Sequence, residues 1–134
     1  MSNYNNFFSD VVREATILTT SYVTHEVTDA NGTLKDLNQF DLANVYVDFT
    51  IGSLTSCEVA LEYSYNGTDW YPESFGSVTS AIDTISPNAY HQVSETSKFS
   101  LNVTLGYRFL RIKVKGTGTV TSSSVTITVD ASSN

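Results

Sequence analysis

Positive charge is scarce in this chain, with seven Lys and Arg against fourteen Asp and Glu over 134 residues and a formal net charge of -7. A domain that grips nucleic acid needs a basic surplus to meet phosphates, so nucleic acid is not an expected partner. Cysteine is almost absent: Cys57 stands alone, which excludes an intrachain disulfide framework and any cysteine-based zinc site. The longest uninterrupted apolar stretches are three or four residues, far short of the roughly 20 that a membrane-spanning helix needs. No membrane partner is expected. The first ten residues have neither a basic n-region nor an apolar h-region, so the expected place of synthesis is cytosolic. With one Met, two Pro and few Lys or Glu, the chain is poor in helix formers, which argues against a helical bundle or coiled coil.

What is present favours strands. Ser and Thr supply 18 residues each, and a 40 % hydrophobic fraction with 12 % aromatics is enough to build the core of one domain. Period-two alternation is clear in Ala43 to Ile51, where Ala43, Val45, Val47, Phe49 and Ile51 share one face and Asn44, Asp48 and Thr50 the other. It recurs with Cys57, Val59, Leu61, Tyr63 and Tyr65, with Phe99, Leu101, Val103 and Leu105, with Leu110, Ile112 and Val114, and with Val125, Ile127 and Val129. Asn66-Gly67 predicts a tight type I′ hairpin turn, with Trp70, Tyr71 and Pro72 opening the return strand. Asn31-Gly32 predicts a second hairpin, and residues 75–97 a long, partly stranded connection. Phe8 to Ile17 suits a short helix as well as a strand.

Seven to nine such strands predict an all-β antiparallel β-sandwich, Ig-like or jelly-roll, occupying residues 13–131. Residues 1–12 read as a less regular arm in which Tyr4, Phe7 and Phe8 sit among Asn and Ser, and residues 132–134 as a fraying end.

Charge is divided unevenly along the chain. Residues 1–97 carry two basic and thirteen acidic groups, whereas residues 98–134 carry five basic and one acidic. Arg111, Lys113 and Lys115 alternate with Ile112 and Val114 and so line one outward strand face, with Arg108 near its start. Two readings follow: cross-strand pairing with carboxylates such as Asp48, Glu58 or Glu62, or a basic face that docks on an acidic patch of another protein.

Patterns for catalysis or cofactor binding are weak. His25 and His91 lack a local partner motif, neither G-x-S-x-G nor H-E-x-x-H occurs, and Cys57 reads as a small core residue. Asp29 to Asp36 lacks the alternating oxygens of a calcium loop and reads as a turn. No cofactor, metal or catalytic residue is assigned. The aromatic run Tyr63, Tyr65, Trp70 and Tyr71 fits either core packing or, through Trp70 and Tyr71, stacking on a sugar ring.

Two segments carry a resemblance: Val59-x-Leu-Glu-Tyr-Ser-Tyr-Asn-Gly-Thr-Asp-Trp-Tyr71, and Tyr107-Arg-Phe-Leu-Arg-Ile-Lys-Val-Lys-Gly-Thr-Gly-Thr-Val120 leading into Ser122-Ser-Ser-Val-Thr-Ile127. With the strands between them, Tyr46 to Val129 resembles the small β-sandwich virion proteins of tailed bacteriophages, the decoration, cement and fibre-associated class. The resemblance implies a non-enzymatic subunit at the virion surface, binding capsid or other virion proteins and self-associating, for instance as a trimer. Tyr4, Phe7, Phe8, Arg108, Arg111, Lys113 and Lys115 are the interface residues this expectation names. A glycan- or receptor-binding module of a fibre or adhesin is the alternative, with Trp70 and Tyr71 as its contacts.

Overall fold

The computed structural model describes residues 7–73, 75–79, 82–86, 90–105 and 108–133. The strands, in chain order, are β1 (Phe7–Thr16), β2 (Val23–Glu26), β3 (Leu42–Thr50), β4 (Leu54–Ser64), β5 (Tyr71–Pro72), β6 (Phe75–Thr79), β7 (Ile82–Ser86), β8 (His91–Val93), β9 (Ser97–Thr104), β10 (Phe109–Gly118) and β11 (Ser124–Ser132). Among the described residues there is no helix. One sheet has the order β1-β11-β3-β9; the other has the order β2-β10-β4-β5, with β8 also on β4; β6 and β7 form a separate hairpin.

The pairings are nested. β1 pairs with β11, β2 with β10, β3 with β9, and β4 with β5 and β8, all antiparallel. One long hairpin is thus folded over on itself, with its strands distributed between two sheets, and the strand order is that of a jelly roll rather than an Ig-like sandwich.

Period-two patterning decides which face is buried. Val45, Val47 and Phe49 of β3, Val125, Ile127 and Val129 of β11, Cys57, Val59 and Leu61 of β4, and Leu110, Ile112 and Val114 of β10 are all buried between the sheets. Leu18, Val27, Leu37 and Phe40, from the connections, close the core at its margin. Burying this apolar area is the main stabilising contribution. On β4 the alternation breaks down, because Ser56, Glu58 and Ala60 are buried on the outer face too.

The ends of the chain differ from expectation. Residues 7–12 are not an arm: they belong to β1, whose ladder on β11 runs from Phe7↔Ser132 to Thr16↔Val125. The Phe8 ring packs on the core 6.4 Å from Phe40, with Lys35 5.0 Å above it. Phe8 to Thr16 is strand rather than helix because its pairing with β11 satisfies the backbone outside a helix. Tyr4 lies outside the described residues. Ala131 is buried and Ser132 paired, since β11 is held on both sides by β1 and β3.

The turns also differ. Gly67 has φ +79° but Asn66 does not enter the left-handed region, so no type I′ turn forms. Residues 65–70 form a longer loop held by side chains. Ser64 Oγ accepts from Gly67 N (2.8 Å), and Asn66 Oδ1 accepts from Thr68 N and Asp69 N (2.9 and 2.8 Å). The Asn31-Gly32 turn does form, with Asp29 Oδ1 accepting from Asn31 N and Thr33 N.

Candidate functional site

The two outer faces of the sandwich are chemically unlike. On the five-stranded sheet, the register sets Lys115 across from Glu58 and Arg111 across from Glu62. Glu62 Oε1 accepts from Arg111 Nε at 2.6 Å and Glu62 Oε2 from Lys113 Nζ at 3.5 Å; Lys115 Nζ lies 3.5 Å from Glu58 Oε2, which also accepts from Thr117 Oγ1. Arg111 stacks on Trp70, 4.3 Å from the ring centroid, and Lys113 and Lys115 lie over the Tyr22 ring at 5.0 and 4.9 Å. Burial, with the Glu58 charge nearby, raises the Tyr22 phenol's pKa. This ladder and its aromatic cover account for the buried outer face of β4. Arg108 pairs with Asp36, whose carboxyl the hydrogen bond holds below the usual range. The three cations of this strand are therefore paired within the chain with Glu58 and Glu62, as the cross-strand reading expected, whereas Asp48 lies on the other sheet and pairs with Lys98.

The outer face of the four-stranded sheet carries few charges, Asp130 and the Lys98–Asp48 pair. Across β1, β11, β3 and β9 its rows run Phe7, Ser132, Leu42, Thr104; then Ser9, Asp130, Asn44, Asn102; then Val11, Thr128, Tyr46, Ser100. Further rows hold Thr126, Asp48 and Lys98, then Ser124 and Thr50. Phe7, Val11, Leu42 and Tyr46 are 66, 47, 47 and 43 % exposed. Around Tyr46 lies a shallow groove of about 430 Å³, lined also by Asp48, Lys98, Ser100, Thr126 and Thr128. Large apolar side chains grouped on a weakly charged face mark a surface suited to contact. Of the interface residues expected from sequence, only Phe7 lies here. Leu42 and Tyr46 were legible as members of an alternating strand, but nothing in that alternation separates a contact face from a solvated one.

A third feature lies at the β4 end of the five-stranded sheet. Tyr65 and Tyr71 are exposed and stacked, with centroids 6.0 Å apart and planes 27° from parallel. The Tyr65 phenol beside it raises the Tyr71 pKa. Trp70 is different, because Arg111 occupies one of its ring faces. Nearby, Glu73 joins Tyr63 and His91: it accepts from the Tyr63 hydroxyl at 3.2 Å and lies 2.8 Å from His91 Nε2. This ties β4 and β8 to the segment after β5.

Both histidines have partners that the sequence did not reveal. Arg13, buried where the β1 register shifts, sends Nη1 to His25 Nε2 at 3.0 Å, Nε to Val125 O, and Nη2 to the carbonyls of Thr16 and Ile17. Burial lowers the pKa values of both Arg13 and His25. Cys57 is buried in the core, and burial pushes its thiol up to about 12. At that value it remains protonated and is a poor nucleophile near neutral pH. No group of three or more His, Cys, Asp and Glu side chains suited to a metal occurs among the described residues.

No protein-family model matches the chain, and no curated protein matches it in sequence.

Proposed function

We propose that this chain is a non-enzymatic structural protein of a bacteriophage virion, a capsid decoration or cement subunit that docks on capsid or neighbouring virion proteins. The observation that carries the reading is the contrast between the two outer faces. One is a ladder of charges paired within the chain; the other presents Phe7, Val11, Leu42 and Tyr46 among mostly uncharged Ser, Thr and Asn, with Asp130 and the exposed Lys98–Asp48 pair as its charges. Docking by the second face buries apolar area and meets one exposed ion pair, Lys98–Asp48, rather than the half-buried ladder of the other face. The jelly-roll order supports the reading by analogy of fold, since viral capsid domains use it, as do lectins. In this reading the basic strand is structural, and Arg108, Arg111, Lys113 and Lys115 leave the interface. The protein then resides at the virion surface after synthesis in the host cytoplasm.

Co-sedimentation with purified capsids of the encoding phage tests this. Leu42→Asp with Tyr46→Asp abolishes binding, whereas Arg111→Ser leaves a folded protein that still binds. Absence of the wild-type protein from the capsid pellet overturns the proposal.

A second reading, glycan or receptor binding, is favoured by the exposed Tyr65–Tyr71 stack, which offers a flat aromatic surface at low entropy cost. Glycan-array binding that Tyr71→Ala removes supports it; an array without signal removes it.

A further inference from the structure

The open edge of the four-stranded sheet formed by β9 is suited to a specific partner. Among the described residues, β9 pairs only with β3, through eight consecutive pairs without a register shift. The edges of the sandwich are otherwise short or disturbed. β2, β5 and β8 have four, two and three residues, and β1 carries two register shifts and the inward-turned Arg13. Natural edges are usually blunted by bulges, proline, brevity or charge. β9 has no proline or bulge, and Lys98 is its one charged residue.

The backbone direction along this edge can be fixed. Leu105 N donates to Asp41 O at 2.8 Å, in register with Leu42↔Thr104. Hydrogen-bonded pairs alternate in an antiparallel ladder, so Phe99, Leu101 and Val103 spend their N–H and C=O groups on β3. Those of Lys98, Ser100, Asn102 and Thr104 point away from it.

We infer that β9 is a homodimerisation edge, pairing antiparallel with β9 of a second copy about a two-fold axis at Leu101. In that register Leu101 faces Leu101 of the partner subunit, and Phe99 faces Val103 of the partner subunit. These are the half-buried and buried apolar residues at the margin of the sandwich. On the outer face Ser100 faces Asn102 of the partner subunit and Lys98 faces Thr104 of the partner subunit, so no like charges oppose each other. All the outward N–H and C=O groups of Lys98, Ser100, Asn102 and Thr104 gain partners. Shifting the axis to Ser100 instead sets Val103 against Ser97 and Asn102 against Lys98 and leaves Leu101 against Phe99 as the one apolar pairing, so Val103 loses its apolar partner. The dimer has one continuous sheet of eight strands. It does not depend on the virion reading.

Sedimentation of the full chain across a range of concentrations, with far-UV circular dichroism as the control for folding, tests the edge and its register together. Wild type forms a species of twice 14.7 kDa. Ser100→Lys with Asn102→Lys sets like charges against each other across the axis and weakens association by at least about tenfold. Ser100→Lys with Asn102→Glu sets opposite charges there and retains the dimer. A wild-type chain that stays monomeric overturns the inference. So does association that both double variants leave unchanged, or that both abolish while still folded.

Discussion

The Nη1 of Arg13 lies 3.0 Å from Nε2 of His25. A guanidinium only donates, so the imidazole must accept at Nε2 and carry its proton on Nδ1. His25 is therefore neutral in the native state. Burial and the adjacent Arg13 charge both lower its pKa.

The unfolded chain, with an ordinary histidine near pH 6.5, binds this proton more readily than the native state does. The stability His25 confers is fully present above about pH 6.5 and is lost as pH falls through the lower native value. His25→Gln keeps an acceptor for Arg13 but does not titrate. Urea midpoints measured from pH 7 to pH 5 should fall less steeply in that variant than in wild type.

Arg13 bonds three backbone carbonyls besides the histidine, and only 6 % of it is exposed. Arg13→Met keeps much of the apolar stem but leaves the carbonyls of Val125, Thr16 and Ile17 without this donor. The expected loss is about 3 kcal/mol in urea denaturation. A loss under about 1 kcal/mol would mean that water replaces the guanidinium.

Gly52 and Gly32 provide a matched pair. Both have positive φ, +57° and +79°. A Cβ on Gly52 would stand 2.4 Å from the Ser122 carbonyl carbon and oxygen, whereas one on Gly32 meets nothing within 4 Å. Gly32→Ala should cost about 1 kcal/mol for the left-handed backbone alone. Gly52→Ala should cost about 3 kcal/mol or more, because two turns must separate. Thermal unfolding of the two variants side by side checks the difference.

The ion pairs should rank by burial. Glu62 is 12 % exposed and serves both Arg111 and Lys113, so Glu62→Gln is expected to cost about 1–2 kcal/mol. Lys98 and Asp48, 83 and 54 % exposed and 3.5 Å apart, should contribute within about 0.5 kcal/mol. Double-mutant cycles at low and high salt separate the two cases.

Cys57 should behave as a core residue. With its thiol pushed up to about 12 by burial, it should resist alkylation at pH 8 in the native protein and react fully in urea. Rapid labelling under native conditions would show that the core opens locally around β4.

Sequence patterning reached far into this fold and stopped where burial is not periodic. Val45, Val47 and Phe49 face inward as their alternation predicts. Glu58 does not follow its pattern, because whether an outward carboxylate is buried depends on what lies across the sheet, here Lys115, Thr117 and the Tyr22 ring beside them. Phe8 reads as part of an irregular arm for a related reason. A short polar-flanked segment looks irregular until its partner strand, more than a hundred residues later, is known. The Asn66-Gly67 dipeptide did mark a turn, but Ser64 and Asp69 side chains made it longer than two residues. The docking face was the least legible feature. Tyr46 and Leu42 alternate no differently from solvated strand residues, and only the pairing of β1, β11, β3 and β9 gathers them with Phe7 and Val11.

The nesting of the strand pairs also sets an order of events during synthesis. β3 waits for β9, β2 for β10, and β1 for β11, so the strand made first is paired last. At ribosomal rates that interval is on the order of ten seconds. For that time Phe7, Phe8, Val11 and Val12 are held on a nascent strand without its ladder. The newborn chain is thus most exposed to chaperones, proteases and its own neighbours along β1, and the emergence of β11 is the step that ends the exposure.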